Sequence, residues 1–211
     1  MKPLLTNDQI KSAAFRLNCE PEALEAVILT ESNGNGFLPD GKPKILYEPF
    51  VFGRLTKGRY NGVKLRFNNI LFPLSLTGKW VRTLAMYGPE SIQHIKLAEA
   101  VKLDRDSAYK ACSWGKFQIL GLNYELCGYS ALEEFVTDMC LSEEKHLEAF
   151  INYVLSMGLD VLLRKKDWKG FAVKYNGSFQ RLNNYSGKLL DHYNRLKKAG
   201  DEHRDKALSG A

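Results

Sequence analysis

The stretch Glu20-Pro21-Glu22-Ala23-Leu24-Glu25-Ala26-Val27-Ile28-Leu29-Thr30-Glu31-Ser32-Asn33-Gly34-Asn35-Gly36 holds the first decisive pattern in the chain. Pro21 stands at a first helical position, where its missing N–H costs nothing. Leu24, Val27, Ile28 and Glu31 follow at i, i+3, i+4 and i+7, so they share one helical face that is otherwise apolar. The glycines and asparagines from Asn33 to Gly36 supply the left-handed conformations that end helices. Glu31 is therefore carried against the core at a helix end. Removal from water disfavours its charged form and raises its pKa. A carboxyl kept protonated near neutral pH is what a general acid for glycoside cleavage requires. The competing reading is a solvent-exposed last-turn glutamate, although the helix dipole disfavours negative charge there.

Helices surround this stretch. Thr6, with Gln9 three residues on, has capping-box spacing, and Ile10, Ala13, Ala14 and Leu17 follow at helical intervals until Asn18 and Cys19. From Phe37 to Thr77 the periodicity fades. Pro39-Asp40-Gly41 reads as a turn, Lys44-Ile45-Leu46-Tyr47 as a short strand, Pro49 to Leu55 as a short helix, and Lys57 to Gly62 as a second turn cluster. Helical patterns resume at Pro89–Leu103, Ser107–Ala111, Leu132–Met139, Ser142–Met157, Asp167–Tyr175 and Ser186–Ala199. Ser142 is an N-cap, with Glu143 and Glu144 placed to favour the positive helix end. The expected class is mainly α, with a small β or irregular lobe.

Two further blocks carry polar groups suited to a ligand. In Ser113-Trp114-Gly115-Lys116-Phe117-Gln118-Ile119, the glycine permits close backbone approach, and Gln118 offers a donor and an acceptor to an N-acetyl group or sugar hydroxyl. The alternative is a packing joint between two helices. Tyr175-Asn176-Gly177 follows a helical pattern and also reads as an ordinary helix C-cap.

These blocks, in this order, resemble the lysozyme-like superfamily of goose-type lysozymes and lytic transglycosylases. Glu31-Ser32-Asn33-Gly34, Gly36 to Gly41, Ile45 to Glu48, Ser113 to Ile119 and Tyr175 to Gly177 look like the N-acetylmuramidase domain of phage endolysins, over about Leu17 to Leu196. The resemblance implies a lysozyme-like, two-lobed helical fold with a glycan cleft. It puts the family's catalytic glutamate on Glu31, and implies cleavage of the β-1,4 bond between N-acetylmuramic acid and N-acetylglucosamine. Ser113, Gln118, Tyr175, Asn176 and Tyr47 are candidate substrate-binding residues, with Tyr60 and Trp114 as further stacking rings. For a second carboxylate, Glu48 ranks above Asp40, because it follows a strand whereas Asp40 sits in a turn. A lytic transglycosylase, which needs no second carboxylate, and a non-catalytic peptidoglycan-binding module are the alternatives.

Composition sets the remaining expectations. The chain has 211 residues and a formal net charge of +6. It is read as one catalytic domain without a separate wall-binding domain, acting as a monomer on peptidoglycan glycan strands. The excess positive charge suits an anionic cell-wall or outer-membrane surface, and the basic C-terminal segment from Lys188 to Lys206 is one place for it. No helix-turn-helix, zinc or RNA-binding aromatic signature points to nucleic acid. The spacing of four cysteines and four histidines suggests no metal, no cofactor is implied, and free thiols are the simpler expectation. The N-terminus lacks the apolar run of a signal peptide, so synthesis in a host cytoplasm and release through a holin are expected.

Overall fold

The computed structural model describes residues 2–32, 35–78, 84–176 and 184–209, with the backbone alone for 32, 84, 85 and 201–209. Helix α1 (Asn7–Arg16) opens with the expected capping box. Thr6 Oγ1 accepts from Gln9 N–H at 3.2 Å, and Gln9 Oε1 accepts from Thr6 N–H at 2.9 Å. It ends where Asn18 turns the chain at φ +50°. Helix α2 (Pro21–Ser32) is buried more completely than a single apolar face predicts. Ala23, Leu24, Ala26 and Val27 are all fully enclosed, and Ile28 nearly so. Such a helix belongs in the interior. It lies between α1, α9 (Asp160–Arg164) and α11 (Tyr185–Ser209).

Two small sheets make the β part. Strand β1 (Ile45–Tyr47) pairs antiparallel with β4 (Cys112–Trp114), which pairs in turn with β5 (Ile119–Leu120); Leu46 lies opposite Ser113. Strands β2 (Lys64–Phe67) and β3 (Ile70–Pro73) form a separate hairpin. Its two loop residues, Asn68 and Asn69, both have positive φ, as a tight two-residue hairpin turn demands. Helix α3 (Pro49–Leu55) has the predicted limits, and α4 (Leu84–Tyr87) precedes α5 (Gln93–Leu103) and α6 (Arg105–Lys110). Helices α7 (Leu132–Leu141), α8 (Glu143–Ser156) and α10 (Trp168–Asn176) complete the helical body. Around them Phe117 stacks on Phe150 at 4.2 Å, with Phe135 and Phe171 also fully buried.

Three local expectations change. The Ser113–Ile119 block is not a joint between helices but the β4–β5 hairpin. Gly115 at φ +67° and Gln118 at φ +49° reverse the chain there, which helical backbone does not do. Tyr175 and Asn176 belong to the last turn of α10 rather than following it, and Gly177 lies outside the described residues, as do Asn33 and Gly34. Helix α11 extends ten residues past the expected Ala199. All four cysteines are free thiols. Among the described residues, no helix is long and apolar enough to cross a membrane.

Candidate active site

Three helix ends converge on Glu31. It sits in the last turn of α2, Asn176 closes α10, and Tyr185 opens α11. The Tyr185 hydroxyl and the Asn176 amide both donate to Glu31 Oε1, the amide at 3.4 Å. The residue keeps a narrow solvent contact while protein atoms crowd its carboxyl, and this burial raises its pKa to about 7. The two donated hydrogen bonds pull the other way, because they favour the carboxylate. The group is therefore balanced between its acid and its base form near neutrality. The end of α2 adds its own unfavourable dipole toward the charged form.

Asn176 is aimed by its neighbour. The Tyr175 ring is stacked on Phe171 and meets Phe150 and Tyr153 edge-on, while its hydroxyl donates to Phe117 O at 2.7 Å. That bond fastens α10 to the β4–β5 hairpin. Gln118 braces the same hairpin: its amide donates to Gly115 O at 2.8 Å and to Lys44 O at 3.5 Å. Ser113 is half-buried on β4 between Leu46 and Leu120.

Behind the hairpin lies a buried polar cluster. Glu143 accepts from the backbone N–H groups of Gly36 (2.7 Å) and Leu5 (3.0 Å) and from Lys116 Nζ (2.9 Å). His146 Nδ1 accepts from Lys116 N–H at 3.1 Å, and Nε2–H donates to Met139 O at 2.8 Å. These partners require the neutral imidazole with its proton on Nε2. Burial lowers the His146 pKa to about 4. Phe37 stacks on the ring at 4.9 Å. A Cβ on Gly36 or Gly115 would lie 2.7 Å from imidazole atoms, so both positions need glycine. The cluster thus ties the segment after α2 to the hairpin that supports Asn176.

The N-acetylmuramidase family model matches residues 20–197. The chain belongs to the N-acetylmuramidase family. Among solved structures, it is similar to the crystal structure of Burkholderia AP3 phage endolysin. The two share 33% identity with a TM-score of 0.77, over 93% of this chain and 72% of that one. No curated protein matches the chain. The match accounts for the α+β, lysozyme-like fold and identifies a peptidoglycan-cleaving enzyme.

In the muramidase, the predicted residues separate into distinct groups. Glu31 and Asn176 are joined directly, and Tyr175 and Gln118 support them from behind. Tyr47 is corrected: it is wholly buried, with its hydroxyl on Leu74 O at 2.7 Å, so it has no ring face to offer a sugar. Trp114 is likewise a core residue, its indole N–H held by Tyr109 O at 3.1 Å. Tyr60 is half-buried against Phe52. Glu48 precedes α3 and accepts from the Tyr87 hydroxyl at 2.9 Å. Asp40 is exposed in its turn, and its bonds from Lys42 hold its carboxyl below the usual range. The described hydrogen bonds of Glu31 go to neither of these carboxylates.

Tyr185 is the residue the sequence pattern missed. It lies 154 positions from its partner, immediately before the expected helix start, and only packing of α11 on α2 unites them. Tyr185→Phe removes a hydrogen bond that favours the Glu31 carboxylate, so the acid form persists to higher pH. The alkaline limb of the pH–rate profile is expected to move up by about one pH unit, with activity at neutral pH about tenfold lower. A profile with an unmoved limb contradicts this role.

Proposed function

We propose that the muramidase hydrolyses the β-1,4 bond between N-acetylmuramic acid and N-acetylglucosamine, with Glu31 as the general acid. The observation that carries this reading is a carboxyl whose burial raises its pKa to about 7. At that value much of it holds a proton at neutral pH, ready for the glycosidic oxygen. As the C1–O bond breaks, the proton passes to the departing 4-oxygen, and water adds to C1 while losing a proton. The charge left on Glu31 forms where Tyr185 and Asn176 already donate, so the developing carboxylate meets preorganised dipoles.

Glu48 is the better candidate for holding the attacking water, since Tyr87 fixes it at the start of α3, whereas Asp40 is taken up by Lys42. Transglycosylation by the substrate's own 6-hydroxyl is the second reading. It needs no second carboxylate, and Asp40 is already held by Lys42. Mass spectrometry of muropeptides from digested peptidoglycan separates the two. Hydrolysis gives reducing N-acetylmuramic acid ends, and a 1,6-anhydro product rejects the hydrolase reading.

A further inference from the structure

Between Glu48 and Glu90 the chain contains seven Lys and Arg residues and no Asp or Glu, while the rest carries 23 against 24. The whole net positive charge therefore belongs to this one segment. Elsewhere basic and acidic residues nearly balance, and even the C-terminal segment Tyr185–Ser209 has only six against four. Lys79 and Arg82 lie outside the described residues; Arg54, Lys57, Arg59, Lys64 and Arg66 are all exposed. Among the described residues none of these five has an ion pair, whereas cations elsewhere are often paired, such as Arg16 with Glu148 and Arg105 with Glu133. With no acid nearby in sequence, their field adds rather than cancels.

The β2–β3 hairpin gives this charge a particular setting. Its register places Arg66 opposite Leu71 and Lys64 opposite Pro73, so these four positions share one face. The opposite face carries Leu65 and the buried Phe72 toward the core, and Phe67 and Ile70 at the turn, so Ile70 and Leu71 meet only at the hairpin tip. Leu71 is 49% exposed and Ile70, beside the turn, 57% exposed. Bulky apolar side chains left in water at a hairpin tip, flanked by unpaired cations, match a surface that is anionic outside and apolar beneath. A soluble polyanion or a wall polymer would use the cations and leave Ile70 and Leu71 without a role.

We propose that residues 54–73 form a docking surface for an anionic phospholipid membrane, with Ile70 and Leu71 entering the headgroup layer and the surrounding cations meeting lipid phosphates. The proposal stands apart from the role of Glu31. Each basic residue near such a surface strengthens binding about fivefold, and the apolar contribution resists salt.

Sedimentation of the full chain with vesicles tests it. The protein should bind vesicles of phosphatidylcholine and phosphatidylglycerol in equal parts and not those of phosphatidylcholine alone. K64E/R66E, melting with the wild type, should bind at least about 25-fold more weakly. I70S/L71S should bind more weakly and lose its remaining binding to added salt. Equal binding to both vesicle types, or wild-type binding by both variants, overturns the proposal. So does a K64E/R66E protein that keeps vesicle binding but no longer sediments with purified peptidoglycan, which would make this face a wall-binding surface.

Discussion

Glu31→Gln is expected to lower peptidoglycan clearing by about 10³-fold while making the folded protein more stable above neutral pH. The two effects have one origin. A glutamine accepts the Tyr185 and Asn176 hydrogen bonds through its carbonyl but has no proton to give. Burial makes the Glu31 carboxylate costly, and its folded pKa of about 7 lies above the unfolded value near 4.5. Its contribution to stability is thus fully present below about pH 4.5 and is lost as pH rises through about 7. Allowing for the residual solvent contact, the loss is on the order of 2 kcal/mol. At pH 8 the variant should melt roughly 4–8 °C above the wild type, with the gap closing toward pH 5. An inactive variant without this pH-dependent gain would indicate that Glu31 is not held protonated. A folded variant with wild-type clearing would remove Glu31 from the chemistry.

Glu143→Ala should be the most damaging single change to the fold, costing about 3–5 kcal/mol in urea unfolding. It leaves the Lys116 ammonium buried without its carboxylate and deprives the N–H groups of Gly36 and Leu5 of their acceptor. Replacing the ion pair by two apolar residues should recover only part of the loss, because those backbone donors stay unsatisfied. A cost below about 1 kcal/mol for Glu143→Ala would contradict the cluster's role. His146 adds a pH dependence of opposite sign to that of Glu31. Its folded pKa near 4 lies below the ordinary 6.5, so its share of stability is present above pH 6.5 and lost as pH falls toward 4. Between about pH 4.5 and 6.5 the two slopes oppose each other in the wild type. Glu31→Gln removes one of them, so that variant should lose stability on acidification across this range more steeply than the wild type.

What the sequence made legible is local. The capping box at Thr6, Pro21 at the start of α2, the strand at Ile45–Tyr47 and the limits of α3 follow from side chains close in the chain. The apolar face that ends in Glu31 has the same character. Less legible were features that arise only on packing. Glu143 looked like an ordinary first-turn acid, and its backbone position is one. Its burial depends on Leu5, Gly36 and Lys116 arriving from three other segments. The alternative of a joint between helices at Ser113–Ile119 gave way to a hairpin, and positive φ at Gln118 has no side-chain signature of its own. Tyr47 lies on the expected strand, but its ring is buried by distant segments: Lys96 of α5 lies over it at 5.5 Å and Leu74 O takes its hydroxyl.

Whether Glu31 keeps its proton near neutral pH is tested most directly by titration without substrate. With ¹³C label in the glutamate side chains and Glu31→Gln to assign the signal, NMR across the pH range reads the carboxyl itself. The predicted result is one glutamate resonance, missing from Glu31→Gln, with its midpoint near 7. If the resonance lost in that variant titrates at the ordinary glutamate value near 4.5, Glu31 is a solvated carboxylate and the acid assignment is wrong.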